Sequence, residues 1–156
     1  MKNYLVIGNP IKHSLSPQIH NRWIKENNID AVYSKKQLND NDLGDLILDI
    51  KNGKIDGVNV TVPFKEKIIN YIDKLSPEAE MTKSVNTIFF NNGKINGHNT
   101  DICGFEKAVQ NTKFNILNKK IFIIGAGGVV PSIIVALNKL KASEIVLSNR
   151  TKYKAE

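Results

Sequence analysis

The segment around residues 121–130 constrains the fold of this chain more than any other. Four apolar residues, Ile121–Ile124, run into a glycine-rich string, and an apolar helical pattern follows over about residues 129–140. A strand that enters a glycine turn and then a helix begins a βαβ unit with a parallel sheet. Backbone N–H groups in such a turn can approach a pyrophosphate closely. The segment predicts a Rossmann-type dinucleotide site at Gly125, Ala126, Gly127, Gly128 and Val129, with a tight turn that binds nothing as the alternative.

The strand that follows, at about Glu144–Leu147, predicts which dinucleotide is bound. An NAD site usually has a carboxylate at the end of this strand for the ribose 2′-hydroxyl. No carboxylate stands there in this chain, and Arg150 has a charged fork that suits a 2′-phosphate. The sequence therefore favours NADP over NAD, with a basic loop of no function as the alternative. The residues expected to contact NADP are Asn149, Arg150, Thr151 and Lys154.

The first hundred residues alternate strand and helix patterns. Strands are predicted near 4–8, 31–38 and 58–62, and a hairpin is predicted around Asn91-Asn92-Gly93. The expected fold class is α/β, with one α/β domain over residues 1–100. Residues 101–156 are expected to form the start of a Rossmann-type dinucleotide-binding domain, which is truncated because only its first βαβ unit is present.

Composition limits the classes of partner. The net charge of +7 comes almost entirely from scattered lysines, which are typical of a solvated surface rather than a nucleic-acid site. No apolar stretch approaches the roughly 20 residues of a membrane helix. The single Cys103 fits a reducing cytosol, and the three histidines show no metal-binding spacing. We expect a cytoplasmic protein with no membrane, nucleic-acid or metal partner; the oligomeric state stays open.

Lys65 follows directly on a predicted strand, beside residues that can bind hydroxyl groups. Asn59 and Thr61 share one face of that strand, because alternate side chains point to the same side. They are expected to point toward the space at the strand's end, near Lys65, although a surface lysine is the alternative. The opposite, buried face is expected to hold Val58, Val60 and Val62.

Four further residues have side chains suited to an anionic or hydroxylated ligand. Asp101 begins a predicted helix, where the helix dipole favours a carboxylate; the alternative is that it only complements the helix start. Ser16, predicted as the N-cap before Pro17, and Ser14 nearby could hold a substrate carboxylate, or Ser16 could be only a cap. Asn86 flanks the first strand of the hairpin.

Six strings, taken together, resemble the shikimate dehydrogenase family, in its order and at its spacings across the whole chain. They are Ser14-Leu15-Ser16-Pro17, Asn59-Val60-Thr61-Val62-Pro63-Phe64-Lys65, Ser84-Val85-Asn86-Thr87, Asn99-Thr100-Asp101, Gly125-Ala126-Gly127-Gly128 and Asn149-Arg150-Thr151. The resemblance implies a reversible, NADPH-linked reduction of 3-dehydroshikimate to shikimate in aromatic amino-acid (chorismate) biosynthesis.

The resemblance also implies roles for individual residues. Ser14 and Ser16 would bind the substrate carboxylate, and Asn59, Thr61 and Asn86 would bind its hydroxyls. Lys65 and Asp101 would form the catalytic pair. When hydride leaves a carbinol carbon, the hydroxyl proton must leave too, and a lysine beside a carboxylate can move it. We expect Lys65 to be the base and Asp101 to orient it.

The chain departs from the family pattern in three respects. Ile102 replaces a small residue, Val130-Pro131 alters the helix start, and the chain is much shorter than the family's. From the last point we expect residues 1–156 to be inactive alone. Two alternatives remain open: a quinate/shikimate dehydrogenase that uses NAD, and a non-catalytic shikimate-binding module.

Overall fold

The computed structural model describes residues 1–151, which form two β-sheets connected and flanked by six α-helices. The strands are β1 (Lys2–Gly8), β2 (Ala31–Gln37), β3 (Gly57–Val60), β4 (Lys74–Leu75), β5 (Thr87–Asn91), β6 (Lys94–His98), β7 (Lys120–Ile124) and β8 (Glu144–Ser148). The helices are α1 (Ser16–Glu26), α2 (Leu43–Lys51), α3 (Phe64–Lys67), α4 (Pro77–Thr82), α5 (Asp101–Asn111) and α6 (Val130–Lys139). Short 3₁₀ turns cover Asp40–Asp42 and Ile68–Tyr71.

The larger sheet is mixed, with the strand order β2-β1-β3-β5-β6-β4. Strands β1, β2 and β3 are parallel because a helix connects each to the next, whereas β5 and β6 form the predicted antiparallel hairpin. Asn92 and Gly93 at its turn have φ values of 51° and 73°. Positive φ at both central residues is typical of a two-residue hairpin turn, which explains this Asn-Gly pair.

The main core lies between this sheet and the helices that pack on it. The apolar residues of α2 recur at helical spacing, and all four are buried: Leu43, Leu46, Ile47 and Ile50. Phe64 and Ile68 are 1% and 0% exposed and belong to the same core. These two side chains anchor the short α3 segment to the rest of the domain.

The predicted βαβ unit is confirmed at residues 120–148. Strands β7 and β8 pair in parallel, and α6 connects them. Helix α6 packs against α5, and a salt bridge of 3.5 Å joins Lys139 on α6 to Glu106 on α5. The α/β fold class is therefore confirmed, while the assignment of residues 1–100 and 101–156 to separate domains stays a prediction.

Two local expectations are wrong. Leu15, not Ser16, occupies the N-cap position of α1, and no side chain caps that helix; the Ser16 N–H instead donates to the Oγ of Ser14 (3.3 Å). Val62 is 57% exposed rather than buried. The alternation stops because β3 ends at Val60 and the chain then turns, with the Phe64 N–H donating to the Thr61 carbonyl (3.0 Å).

Within residues 1–151, no helix has both the length and the apolar character that crossing a membrane requires.

Candidate functional site

Lys65 and Asp101 form an ion pair between two separate elements. Lys65 lies on α3 and Asp101 is the first residue of α5, and the Lys65 Nζ donates to the Asp101 Oδ2 over 2.6 Å. Their side chains are 12% and 22% exposed, so water screens the pair less than it screens a surface pair. The buried Phe64 holds α3 in place, and the Lys65 carbonyl accepts from the Val85 N–H (2.9 Å).

Asn86 fixes the orientation of the Asp101 carboxylate. Its Nδ2 donates to the Asp101 Oδ1 (2.8 Å) and to the Thr100 Oγ1 (2.9 Å), while its Oδ1 accepts from the Thr100 N–H (3.1 Å). Because a backbone N–H can only donate, the oxygen of the amide must face Thr100 and the nitrogen must face Asp101. Among the described residues, the Asp101 Oδ1 thus accepts one hydrogen bond from Asn86, and the Oδ2 accepts one from Lys65.

A chain of hydrogen bonds connects Asn59 to this carboxylate. The Tyr33 hydroxyl donates to the Asn59 Oδ1 (2.7 Å), and the Asn59 Nδ2 donates to the Thr87 Oγ1 (3.2 Å). The Thr87 hydroxyl then donates to the Asn86 Oδ1 (3.0 Å). Burial raises the pKa of Tyr33 to about 12, so its hydroxyl is protonated at neutral pH and able to donate. The donors run in one direction, from Tyr33 through Asn59 and Thr87 to Asn86.

Tyr33 is itself held by helix α1. The Asn21 side chain bonds both backbone groups of Tyr33, accepting from its N–H (2.9 Å) and donating to its carbonyl (2.7 Å). His20 stacks on the Tyr33 ring, with ring centroids 4.1 Å apart and planes 5° from parallel. Burial lowers the pKa of His20 below its ordinary value, which favours a neutral imidazole against the tyrosine.

Replacement of Tyr33 by phenylalanine is expected to lower the free energy of unfolding by about 1–3 kcal/mol, because the Asn59 Oδ1 loses its donor inside the fold. Tyr4→Phe is the matched control. Tyr4 packs against the buried cluster formed by Tyr33, Val6 and Ile11, and its hydroxyl bonds no other residue within 1–151. The control is expected to change stability by less than about 0.5 kcal/mol. Urea denaturation of both variants makes the comparison, and equal losses would contradict the role given to the Tyr33 hydroxyl.

The structure does not join the other three predicted substrate residues to this network. Ser14 and Ser16 lie just before and at the start of α1, half-buried, and the bond between them is local. Thr61 follows β3, and its backbone N–H donates to the Ile7 carbonyl (2.9 Å). No hydrogen bond among the described residues connects these three side chains to Lys65 or Asp101.

Within the part of the chain that the structure describes, the glycine turn leaves three backbone N–H donors without an acceptor. Gly125 has a φ of +102°, which favours glycine, and its N–H donates to the Ser148 carbonyl (2.7 Å). The N–H groups of Gly127, Gly128 and Val129 have no acceptor within residues 1–151. A Cβ built on Gly127 or Gly128 would meet no atom within 4 Å, so the packing of the fold does not itself require glycine at either position. Open space and free donors suit a phosphate group.

The end of β8 supports this turn. The Asn149 Oδ1 accepts from the Ala126 N–H (3.2 Å), and its Nδ2 donates to the Thr151 carbonyl (2.8 Å). The Arg150 side chain is exposed beside this support. Lys154, the remaining residue predicted for NADP, lies outside the described residues.

The glycine turn and Lys65 border the same space. One small cavity of about 150 Å³ is lined by both Lys65 and Gly128, together with residues 62–63 and 66–67. A larger open cavity of about 740 Å³ extends along the turn, with Val62, Glu66, Gly127 and Ile134 among its walls. The Ser84 Oγ donates to the Gly128 carbonyl (3.3 Å). Among the residues that the structure describes, no group of three His, Cys, Asp or Glu side chains could hold a metal ion.

Comparison with known proteins places this arrangement in a family. Residues 6–88 match the family model described as "Shikimate dehydrogenase substrate binding domain". The chain belongs to the shikimate dehydrogenase family. The matched span includes Lys65, Asn86 and the Tyr33–Asn59 contact.

Relatives in this family match nearly the whole chain. The shikimate dehydrogenase (NADP(+)) of Pelagibacter ubique is 55% identical over 154 residues, which are 99% of this chain and 58% of the relative. The crystal structure of shikimate dehydrogenase from Aquifex aeolicus has a TM-score of 0.92 at 42% identity, covering 99% of this chain and 58% of that one. The shikimate 5-dehydrogenase of Thermus thermophilus, in complex with NADP(H) and shikimate, has a TM-score of 0.90 at 30% identity, covering 99% and 58%. The chain therefore spans somewhat over half the length of the relatives it matches.

Sequence reasoning assigned no role to several polar residues of this member of the shikimate dehydrogenase family. Tyr33, Thr87 and Thr100 take part in the network around Asp101, and Asn99 and Ser132 are buried close to it. Thr87, Thr100 and Asn99 belong to the quoted strings, beside Asn86 and Asp101, and that position was the available signal. Tyr33 and Ser132 carry no such signal, because they lie on elements distant in sequence.

Proposed function

We propose that this chain binds shikimate and 3-dehydroshikimate and takes part in their NADP-linked interconversion. The observation that carries the proposal is the Lys65–Asp101 pair, whose head groups are 2.6 Å apart, together with a cavity that both Lys65 and Gly128 of the glycine turn line. A proton-transfer pair beside a phosphate-binding turn suits a dehydrogenase that acts on an alcohol.

Family membership and the bound ligands of the Thermus thermophilus relative support the choice of substrate. The chain spans 58% of the Pelagibacter ubique relative, so the activity of the whole enzyme is part of the proposal. The substrate carboxylate is assigned to Ser14 and Ser16. The hydroxyls are assigned to Asn59, Thr61 and Asn86.

The proton steps follow from the donors around Asp101. In the oxidation of shikimate, the neutral amine form of Lys65 accepts the proton of the reacting hydroxyl and becomes the ammonium that pairs with Asp101; in the reduction, this ammonium returns the proton to the oxygen. Asp101 holds the amine by its Oδ2, and Asn86 holds Asp101 by its Oδ1, so the pair keeps one orientation throughout. Holding the reacting groups in position lowers the barrier because less entropy is lost on reaching the transition state.

The residues of the glycine turn fit NADP. The free N–H groups of Gly127, Gly128 and Val129 would hold its pyrophosphate, and Asn149 keeps the turn in shape through the Ala126 N–H. Arg150, Thr151 and Lys154 are assigned to the 2′-phosphate. When bound, NADP supplies the hydride acceptor, and the chain supplies the proton acceptor.

Two measurements test the proposal. Isothermal titration of the 156-residue chain with shikimate is expected to show saturable binding. A chimera is then made in which this chain replaces the matching N-terminal part of the Pelagibacter ubique relative, and NADPH absorbance is followed with 3-dehydroshikimate. NADPH is expected to be preferred over NADH. Binding without turnover in the chimera would favour the non-catalytic module, a preference for NADH would favour the NAD-linked alternative, and absence of binding would overturn the proposal.

A further inference from the structure

A buried polar cluster joins the start of α5 to the glycine turn and α6. Asn99 is 1% exposed and lies between β6 and α5, and Ser132 on α6 is 0% exposed. The Asn99 Nδ2 lies 2.9 Å from the Ser132 Oγ, 3.0 Å from the Ser84 carbonyl and 3.0 Å from the Thr82 Oγ1. Buried polar groups are costly unless they are paired, so a cluster with this many partners holds its members firmly.

The same side chain also holds Asp101. The Asn99 Oδ1 accepts from the Asp101 backbone N–H (2.9 Å). This N–H belongs to the first turn of α5, where backbone donors have no acceptor inside the helix. One planar amide therefore connects Asp101, through its oxygen, with Ser132 of α6, through its nitrogen. Ser132 is four residues beyond Gly128, whose carbonyl accepts from Ser84.

We propose that Asn99 is a positioning residue that sets Asp101 relative to the glycine turn, acting through Ser132. This inference rests on the proposed function, because the link from Asp101 through Asn99 to Ser132 is taken to position a catalytic group. Asn86 and Lys65 bond the Asp101 carboxylate from the larger sheet and from α3. Among the described residues, neither of them bonds a residue of α6. Asn99 is the residue whose bonds reach from Asp101 to the helix that follows the turn.

The chain provides a matched pair of variants. An amide nitrogen has two hydrogens, and the Asn99 Nδ2 has three acceptors within reach. Ser132→Ala leaves it the Ser84 carbonyl and Thr82, whereas Thr82→Val leaves it the Ser84 carbonyl and Ser132. Each variant loses one buried hydroxyl and leaves both hydrogens satisfied, but only Ser132→Ala removes the connection to α6.

Both variants are tested in the chimera and in the 156-residue chain. Ser132→Ala is expected to lower kcat about tenfold, because displacement of a reacting group is costly even when small. Its shikimate dissociation constant, measured by titration of the chain, is expected to stay within about twofold of the original, as are both quantities for Thr82→Val. A merely structural role would lower kcat equally in the two variants, and that result would overturn the proposal.

Two further outcomes are distinguished. If Ser132→Ala unfolds below the assay temperature, Ser132→Cys keeps a side chain of similar shape but offers the Asn99 Nδ2 only a weak acceptor. A fall in kcat of about fivefold or more at constant shikimate affinity is then expected, and unchanged kcat would contradict the inference. Absence of turnover in the unmutated chimera would count against the proposed function itself, whereas an active chimera with indifferent variants would count against the inference alone.

Discussion

Replacement of Lys65 by alanine is expected to lower kcat for shikimate oxidation by about 10²–10⁴-fold, the usual contribution of general acid–base catalysis. The Lys65 Nζ is the proposed proton acceptor and lies 2.6 Å from the Asp101 Oδ2. Removing the amine takes away the proton acceptor and also removes one of the two hydrogen bonds that the half-buried carboxylate accepts within residues 1–151, leaving the one from Asn86. The chimera defined above is assayed at saturating shikimate and NADP.

Lys67→Ala is the matched control for this measurement. Lys67 lies two residues along α3 and is paired with Asp40 over 2.6 Å, at side-chain exposures of 49% and 60%. Its removal is expected to change kcat by less than about twofold, since exposed ion pairs contribute little. The 156-residue chain carrying Lys65→Ala should still bind shikimate. A kcat for Lys65→Ala within about threefold of the original would remove Lys65 from the mechanism.

Phe64→Ala is expected to lower the free energy of unfolding by about 3–5 kcal/mol, which is typical when an aromatic ring is removed from a core. Phe64 is 1% exposed and packs in the main core at the start of α3, next to Lys65. The cavity left behind would both weaken the fold and loosen the anchor of the catalytic lysine. Urea denaturation of the 156-residue chain measures the change as a lower midpoint.

Phe114→Ala serves as the comparison for the core substitution. Phe114 is 60% exposed and lies between α5 and β7, so its removal creates no internal cavity. A change below about 1 kcal/mol is expected. Similar losses for the two variants would show that Phe64 is not a principal anchor of the core.

The fold could be predicted well from local patterns. The apolar spacing of α2, the Asn-Gly hairpin turn and the strand that runs into Gly125 each specify backbone geometry within a few residues. Expectations were wrong where tertiary contacts ended an element. Val62 continues the alternation of β3 in sequence, but the strand stops at Val60. Helix α1 also begins without the predicted serine cap.

The candidate site could also be predicted only in part from the sequence. The residue types at Lys65, Asn86 and Asp101, and their resemblance to one family, could be recognised in the sequence alone. The resemblance also implied the pairing of Lys65 with Asp101, and the structure places the two groups 2.6 Å apart. The other partners could not be recognised, because they come from elements far apart in the chain: Tyr33 meets Asn59 across 26 positions, and Asn99 meets Ser132 across 33. Periodicity reports which face of an element is buried, whereas hydrogen-bond partners depend on how separate elements pack. The sequence by itself therefore determined the elements and the candidate chemistry, and the tertiary structure alone decided which polar groups hold one another in place.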